Sequence, residues 1–114
     1  MSDVSLIIYP VADLTTAKRF FRELIGTDPY VDGRPYVGYK SGDMEIGLIP
    51  NRDKSEPTPI PYWTVSDITA TVEALVAAGG TVAQAITDVG YGMLVASVKD
   101  PNGATVGLRQ PPKG

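Results

Sequence analysis

The sequence repeats itself. The run Leu6 to Thr15 (LIIYPVADLT) aligns with Ile60 to Thr69 (IPYWTVSDIT) at a fixed offset that pairs Asp13 with Asp67. The same offset pairs Val11 with Val65, Gly26 with Gly80 and Thr27 with Thr81. A unit of about 50 residues can hardly bury a core of its own, so two copies are expected to pack into one domain. The length of 114 residues suits that arrangement.

Each copy shows the same order of local signals. A β-rich run ends at an Asp, whose carboxylate can accept from the free N–H groups of a helix start. In the first copy Leu14, Ala17, Phe20, Phe21, Leu24 and Ile25 then form an apolar stripe at helical spacing, with Lys18, Arg19, Arg22 and Glu23 mostly opposite. In the second copy Ile68, Val72, Leu75 and Val76 repeat the stripe. Gly26 and the pair Gly79 and Gly80 are placed to end these helices, because glycine accepts the left-handed conformation that follows a C-cap.

Strands are expected next. Tyr36–Ser41 and Met44–Pro50 flank Gly42 and Asp43 and read as a hairpin. Tyr91–Lys99 and Ala104–Gln110 flank Asp100-Pro101-Asn102-Gly103, in which proline presets one φ and the Asn-Gly pair accepts positive φ. Thr81–Ile86 is a further strand, matched less clearly by a piece near Tyr30. The predicted fold is α+β: two tandem βαβββ modules, 1–50 and 60–114, in one domain of 1–114, joined by a charged, proline-rich linker over 51–59. The modules are expected to build a curved mixed sheet, with a ligand cavity on its concave side and helices on its convex side.

Composition removes several function classes. The chain has no cysteine, which excludes disulfides and thiolate chemistry, and no histidine, the commonest metal ligand and general base near neutral pH. A net charge of −3 disfavours nucleic acid as a partner. No apolar run approaches the ~20 residues needed to cross a bilayer, and the start has no signal-peptide pattern. The expectation is a cytoplasmic protein that engages neither membrane nor nucleic acid.

The strand–Asp–Leu–helix opening at Val11–Leu14, its copy at Val65–Ile68, and the Asp100–Gly103 turn followed by Thr105–Leu108 together resemble the vicinal oxygen chelate superfamily. That superfamily includes glyoxalase I, extradiol dioxygenases and the bleomycin-resistance proteins. The resemblance covers almost the whole chain and implies paired βαβββ modules. It also implies where metal-using relatives hold their ligands: seven residues before each helix-starting Asp, and at the Glu of a Val-Glu-Leu-like triplet on the last strand of each module. Here those places are Leu6, Gly47, Ile60 and Gly107, within the triplets Ile46-Gly47-Leu48 and Val106-Gly107-Leu108. None offers a side-chain donor, whereas a borderline divalent cation takes about three or four. No metal and no other cofactor is expected.

With those four places set inward, strand alternation assigns the rest. Ile8 and Glu45 turn inward with Gly47, and Tyr62 and Arg109 turn inward with Gly107. By the same alternation Tyr36, Tyr91 and Met93 also line the cavity, while Tyr9, Trp63, Ile46, Leu48, Val106 and Leu108 face the helices. The two glycines are expected to widen the cavity and let a flat molecule approach the backbone. The tyrosines would supply rigid faces with a polar tip, Met93 an adaptable one, and Glu45 and Arg109 polar anchors. Nine residues are thus the candidate ligand contacts, and none is assigned as catalytic. The metal-free, bleomycin-resistance-like branch implies a homodimer that sequesters a flat aromatic or apolar antibiotic. The alternative is a metal-independent lyase or isomerase using Glu45 or a tyrosine as acid or base.

Overall fold

A computed structural model describes residues 3–33, 35–51 and 58–112. Two stretches of identical order appear. The first is β1 (Asp3–Val11), α1 (Leu14–Ile25), β2 (Val31–Asp32), β3 (Val37–Ser41) and β4 (Met44–Pro50). The second is β5 (Ile60–Thr64), α2 (Ile68–Ala77), β6 (Thr81–Asp88), β7 (Leu94–Lys99) and β8 (Thr105–Gln110). The fold is α+β with two βαβββ modules. The chain divides into two compact units that part at Ile60 and Pro61. The predicted linker falls mostly at 52–57, outside the described residues.

In the first module the strands run in the order β2-β3-β4-β1. β1 and β4 are parallel, with Leu6 beside Glu45 and Ile8 beside Gly47. β3 and β4 are the expected hairpin, with Gly38 beside Gly47 and Lys40 beside Glu45. Alternation sends every second side chain to α1. Phe21, Val37, Tyr39 and Leu48 form the core, joined by Tyr9, Val11, Ile25 and Ile46. Tyr9 and Phe21 pack with ring centroids 4.8 Å apart. Tyr39 is fully buried, and its hydroxyl donates to the Lys18 carbonyl at 2.7 Å, so the polar tip it brings into this core is satisfied. Asp13 caps α1, accepting from the N–H groups of Thr15 and Thr16. Gly26 ends it at φ +91°, where a side chain would be strained.

The second module repeats the plan with the order β5-β8-β7-β6. β5 and β8 are parallel, with Tyr62 beside Gly107 and Thr64 beside Arg109. Val65, Ile68, Ala96, Val98 and Leu108 form its core, joined by Trp63, Val72, Leu75, Leu94 and Val106. Trp63 is thus a packing residue on the helix side, as its parity predicts. Asp67 caps α2 through the Ala70 N–H, and the Gln110 side-chain oxygen accepts from the Ile68 N–H at 2.8 Å, anchoring the helix start to the end of β8. In the predicted turn before β8, Asp100 accepts from the N–H groups of Asn102 and Ala104, and Gly103 adopts φ +91°.

One predicted strand starts too early. Tyr91–Lys99 is a strand only from Leu94 onward. Gly90, Tyr91 and Gly92 all adopt positive φ, at +116°, +55° and +78°, which no strand tolerates. The Val89 N–H to Met93 carbonyl bond and the Met93 N–H to Gly90 carbonyl bond close this segment as a turn.

Candidate functional site

Each module has one sheet face packed on its helix and one turned away. The face turned away carries the candidate site residues. In the first module β1 contributes Leu6 and Ile8, both buried, β3 contributes Gly38 and Lys40, and β4 contributes Glu45 and Gly47. In the second module β5 contributes Tyr62 and Thr64, β7 contributes Val95 and Ser97, and β8 contributes Gly107 and Arg109. The parity derived for Ile8, Glu45, Gly47, Tyr62, Gly107 and Arg109 matches these registers.

The space at the two glycines is not open. A Cβ built on Gly47 would lie 2.6 Å from the Tyr36 hydroxyl, 2.8 Å from Tyr36 Cε2 and 2.7 Å from Ile8 Cδ1. A Cβ built on Gly107 would lie 2.6 Å from Cγ, Cδ2 and Cε2 of Tyr62. Real Cβ contacts do not come so close, so each glycine is the seat of a tyrosine ring. The expectation of extra room at Gly47 and Gly107 is therefore corrected: the protein's own rings fill it. The two modules reach this result by different routes. Tyr36 arrives from the segment just before β3, and Tyr62 from β5, the strand paired with β8.

Tyr36 also lies against Gly38, where a Cβ would meet Tyr36 Cε1 at 2.9 Å and Tyr30 Cε1 at 3.3 Å. Tyr30 was not singled out from the sequence, yet it belongs to this face. Its N–H donates to the Gly38 carbonyl at 2.9 Å, its hydroxyl donates to Glu45 Oε1, and the Lys40 ammonium lies 5.1 Å above its ring centroid. Tyr30 adjoins the short β2, whose pairing to Gly38 turns it toward the hairpin, a placement that depends on the tertiary register.

Two candidates are placed differently from expectation. Tyr91 sits at the tip of the glycine-flanked turn and is fully exposed. Alternation along β7 does not reach it, because Tyr91 itself and Gly92 after it are left-handed. Met93 lies just before β7, half-buried. In the second module Tyr62 stands with Gly107 and Arg109, and burial pushes its hydroxyl above the ordinary tyrosine value of 10.0. Tyr62 is therefore neutral near neutral pH, a hydrogen-bonding group and not a base.

These residues do not fit a metal. The four family ligand places hold leucine, isoleucine and two ring-covered glycines, and no cluster of three or more His, Cys, Asp or Glu occurs among the described residues. On the opposite, helix side of the first module lies a separate cavity of about 250 Å³ whose lining includes Leu14, Thr15, Lys18 and Asp32. Lys18 and Asp32 form an ion pair there at 2.9 Å. No helix among the described residues is long and apolar enough to cross a membrane.

Paired βαβββ modules with an Asp-capped helix in each define a glyoxalase-like fold. Residues 4–108 match the model of the Glyoxalase/Bleomycin resistance protein/Dioxygenase superfamily, and the chain belongs to that superfamily. No curated protein matches it in sequence. Among solved structures it is similar to a hypothetical protein from Bacillus halodurans C-125, with TM-score 0.80 and 12% identity over 99% of this chain and 96% of that one. It is also similar to a glyoxalase/bleomycin resistance protein/dioxygenase superfamily member from Vibrio splendidus 12B01, with TM-score 0.72 and 15% identity over 96% and 98%. Methylmalonyl-CoA epimerase from Mycobacterium tuberculosis aligns with TM-score 0.70 and 17% identity over 96% and 88%. At such identities these likenesses establish the fold alone.

Proposed function

We propose that this chain is a metal-free binding protein for a small flat molecule, acting by sequestration, with an antibiotic as the candidate ligand class. The observation that carries this reading is the replacement of donors by aromatic surface. Where metal-using relatives place a ligand on the last strand of each module, this chain has a glycine with a tyrosine ring seated on it. Rings held flat against backbone lose little freedom on stacking and offer a large contact area. In the first module Ile8 adds an apolar contact, and in the second Met93 and Arg109 add an adaptable and a polar one. Two copies are proposed to pair as a homodimer, which light scattering would test. Titration of a panel of flat aromatic antibiotics against intrinsic tyrosine and tryptophan fluorescence tests the main reading. Binding tighter than about millimolar, weakened by Tyr36→Ala and Tyr62→Ala, supports it; no binding across the panel rejects it.

A second reading has its own observation. Glu45 accepts from the Tyr30 hydroxyl on the same face, so a carboxylate is held beside a group that can donate a proton. In a metal-independent isomerase Glu45 would take a proton from a substrate carbon and Tyr30 would hydrogen-bond the carboxylate. The fold shared with methylmalonyl-CoA epimerase supports including acyl thioesters among the substrates tried. Glu45→Gln should then abolish turnover while sparing binding, and an unchanged rate would reject this reading.

A further inference from the structure

We propose that the first module's face recognises a flat organic cation and that Lys40 is the internal competitor for that place. The inference rests on the small-molecule reading above and adds the charge of the molecule. Its basis is the juxtaposition of Tyr30, Tyr36, Lys40 and Glu45 around Gly38.

Two rings approach Gly38 closely enough that a Cβ there would meet both, Tyr36 at 2.9 Å and Tyr30 at 3.3 Å. The Tyr30 hydroxyl donates to the Glu45 carboxylate, so a negatively charged group stands at the tip of one ring. An aromatic face is itself electronegative and attracts cations. Both features favour a cation and oppose an anion. The chain already demonstrates the preference: its own Lys40 ammonium stands 5.1 Å above the Tyr30 centroid. Lys40 is also the register partner of Glu45 across the hairpin, so cross-strand attraction brings it to the same spot.

Lys40 is a weak occupant. It is exposed, and its charge is a strongly hydrated point on a flexible four-carbon stem. It covers little of the ring and does not stack. A planar cation would cover the tyrosine faces with its body and keep its charge near Glu45, so it has an advantage over both Lys40 and a neutral molecule of equal shape. An anion would meet the Glu45 carboxylate and two ring faces, with the Lys40 ammonium in its favour.

The test uses two isosteric probes at neutral pH, N-methylquinolinium, which is permanently charged, and quinoline, which is neutral there. Fluorescence titration of the intact protein reads both. The expected result is about tenfold tighter binding of the cation. Lys40→Gln should tighten the cation several-fold and leave quinoline unchanged. Glu45→Gln should weaken the cation and bring the two affinities together. Circular dichroism checks that each variant folds; should Glu45→Gln fail, the probe comparison and Lys40→Gln still decide. Equal binding of the two probes, or a Lys40→Gln variant that loses cation affinity, overturns the inference and leaves the small-molecule reading standing. Absence of binding by both probes also overturns the inference, while the small-molecule reading is decided separately by the antibiotic panel.

Discussion

Gly107→Ala measures how firmly the Tyr62 ring is seated. The new Cβ would lie 2.6 Å from Cγ, Cδ2 and Cε2 of that ring. Cγ is the ring atom nearest the backbone, so rotation about the outer bonds cannot carry it away; either the ring leaves its place or β5 and β8 separate locally. Overpacking of this kind costs about 1–3 kcal/mol, and three simultaneous contacts place this case at the upper end. Replacing a strand glycine by alanine contributes about 0.5–1 kcal/mol in the opposite direction. The net expectation is a loss of about 2 kcal/mol, or about 8 °C in Tm at about 4 °C per kcal/mol for a chain of this size. Denaturant unfolding of four proteins, wild type, Gly107→Ala, Tyr62→Ala and the double variant, isolates the contact. Without the ring, Gly107→Ala should be neutral or stabilising, so the coupling should be about 2 kcal/mol or more. Gly47→Ala should cost less, because Cβ there meets the outer atoms of Tyr36 and the Ile8 Cδ1 methyl, all of which can swing. An equal cost of Gly107→Ala with and without Tyr62 would refute the seated-ring account.

Other consequences are open to direct measurement. Asp13→Ala and Asp67→Ala should each lower stability by about 1 kcal/mol through loss of an N-cap, with Asp13 the larger because it accepts from two N–H groups and Asp67 from one. Tyr39→Phe should cost about 1–2 kcal/mol in chemical unfolding, since the Lys18 carbonyl loses its donor in a part-buried setting. Burial raises Tyr62, and burial followed by the charges of Asp32 and Asp28 raises Tyr39. A hydroxyl whose folded value is raised binds its proton more tightly in the native state, so its contribution is complete below the unfolded value near 10 and is lost as pH rises through the folded one. Stability should therefore fall as pH climbs past about 10, and Tyr62→Phe should flatten that fall in a pH series of thermal melts.

Much of the fold was legible because its determinants are local. The Asp caps, the inner part of the α1 stripe (Leu14, Ala17, Phe21 and Ile25) and the hairpin around Gly42 and Asp43 each involve residues within one or two turns of chain, whereas Phe20 and Leu24 of that stripe are exposed. β4 was placed at Met44–Pro50 without error, and the Asp100–Gly103 turn came directly from its residue types. The helix-facing parity of Tyr9, Trp63, Ile46, Leu48, Val106 and Leu108 followed from alternation and the repeat, since a one-residue slip would have put charge into a core. Tyr91 was misplaced by the same alternation. It was carried across Gly92, although glycines on both sides of a residue are a local reason to expect positive φ.

The repeat, the two Asp-capped helices and the absence of donors at Leu6, Gly47, Ile60 and Gly107 are determined by sequence alone. Each is a matter of residue identity and short-range spacing, which needs no third dimension. Only tertiary structure decided what fills the space beside the two glycines. Whether a missing side chain leaves a hole depends on which neighbour can reach it, and Tyr36 reaches Gly47 across the hairpin while Tyr62 reaches Gly107 across a parallel strand pair. The same holds for Tyr30, whose hydroxyl meets Glu45 fifteen residues away. Packing density forbids an empty pocket where an aromatic ring can fit, and which ring fits is settled by pairing and register, not by the chain read in order.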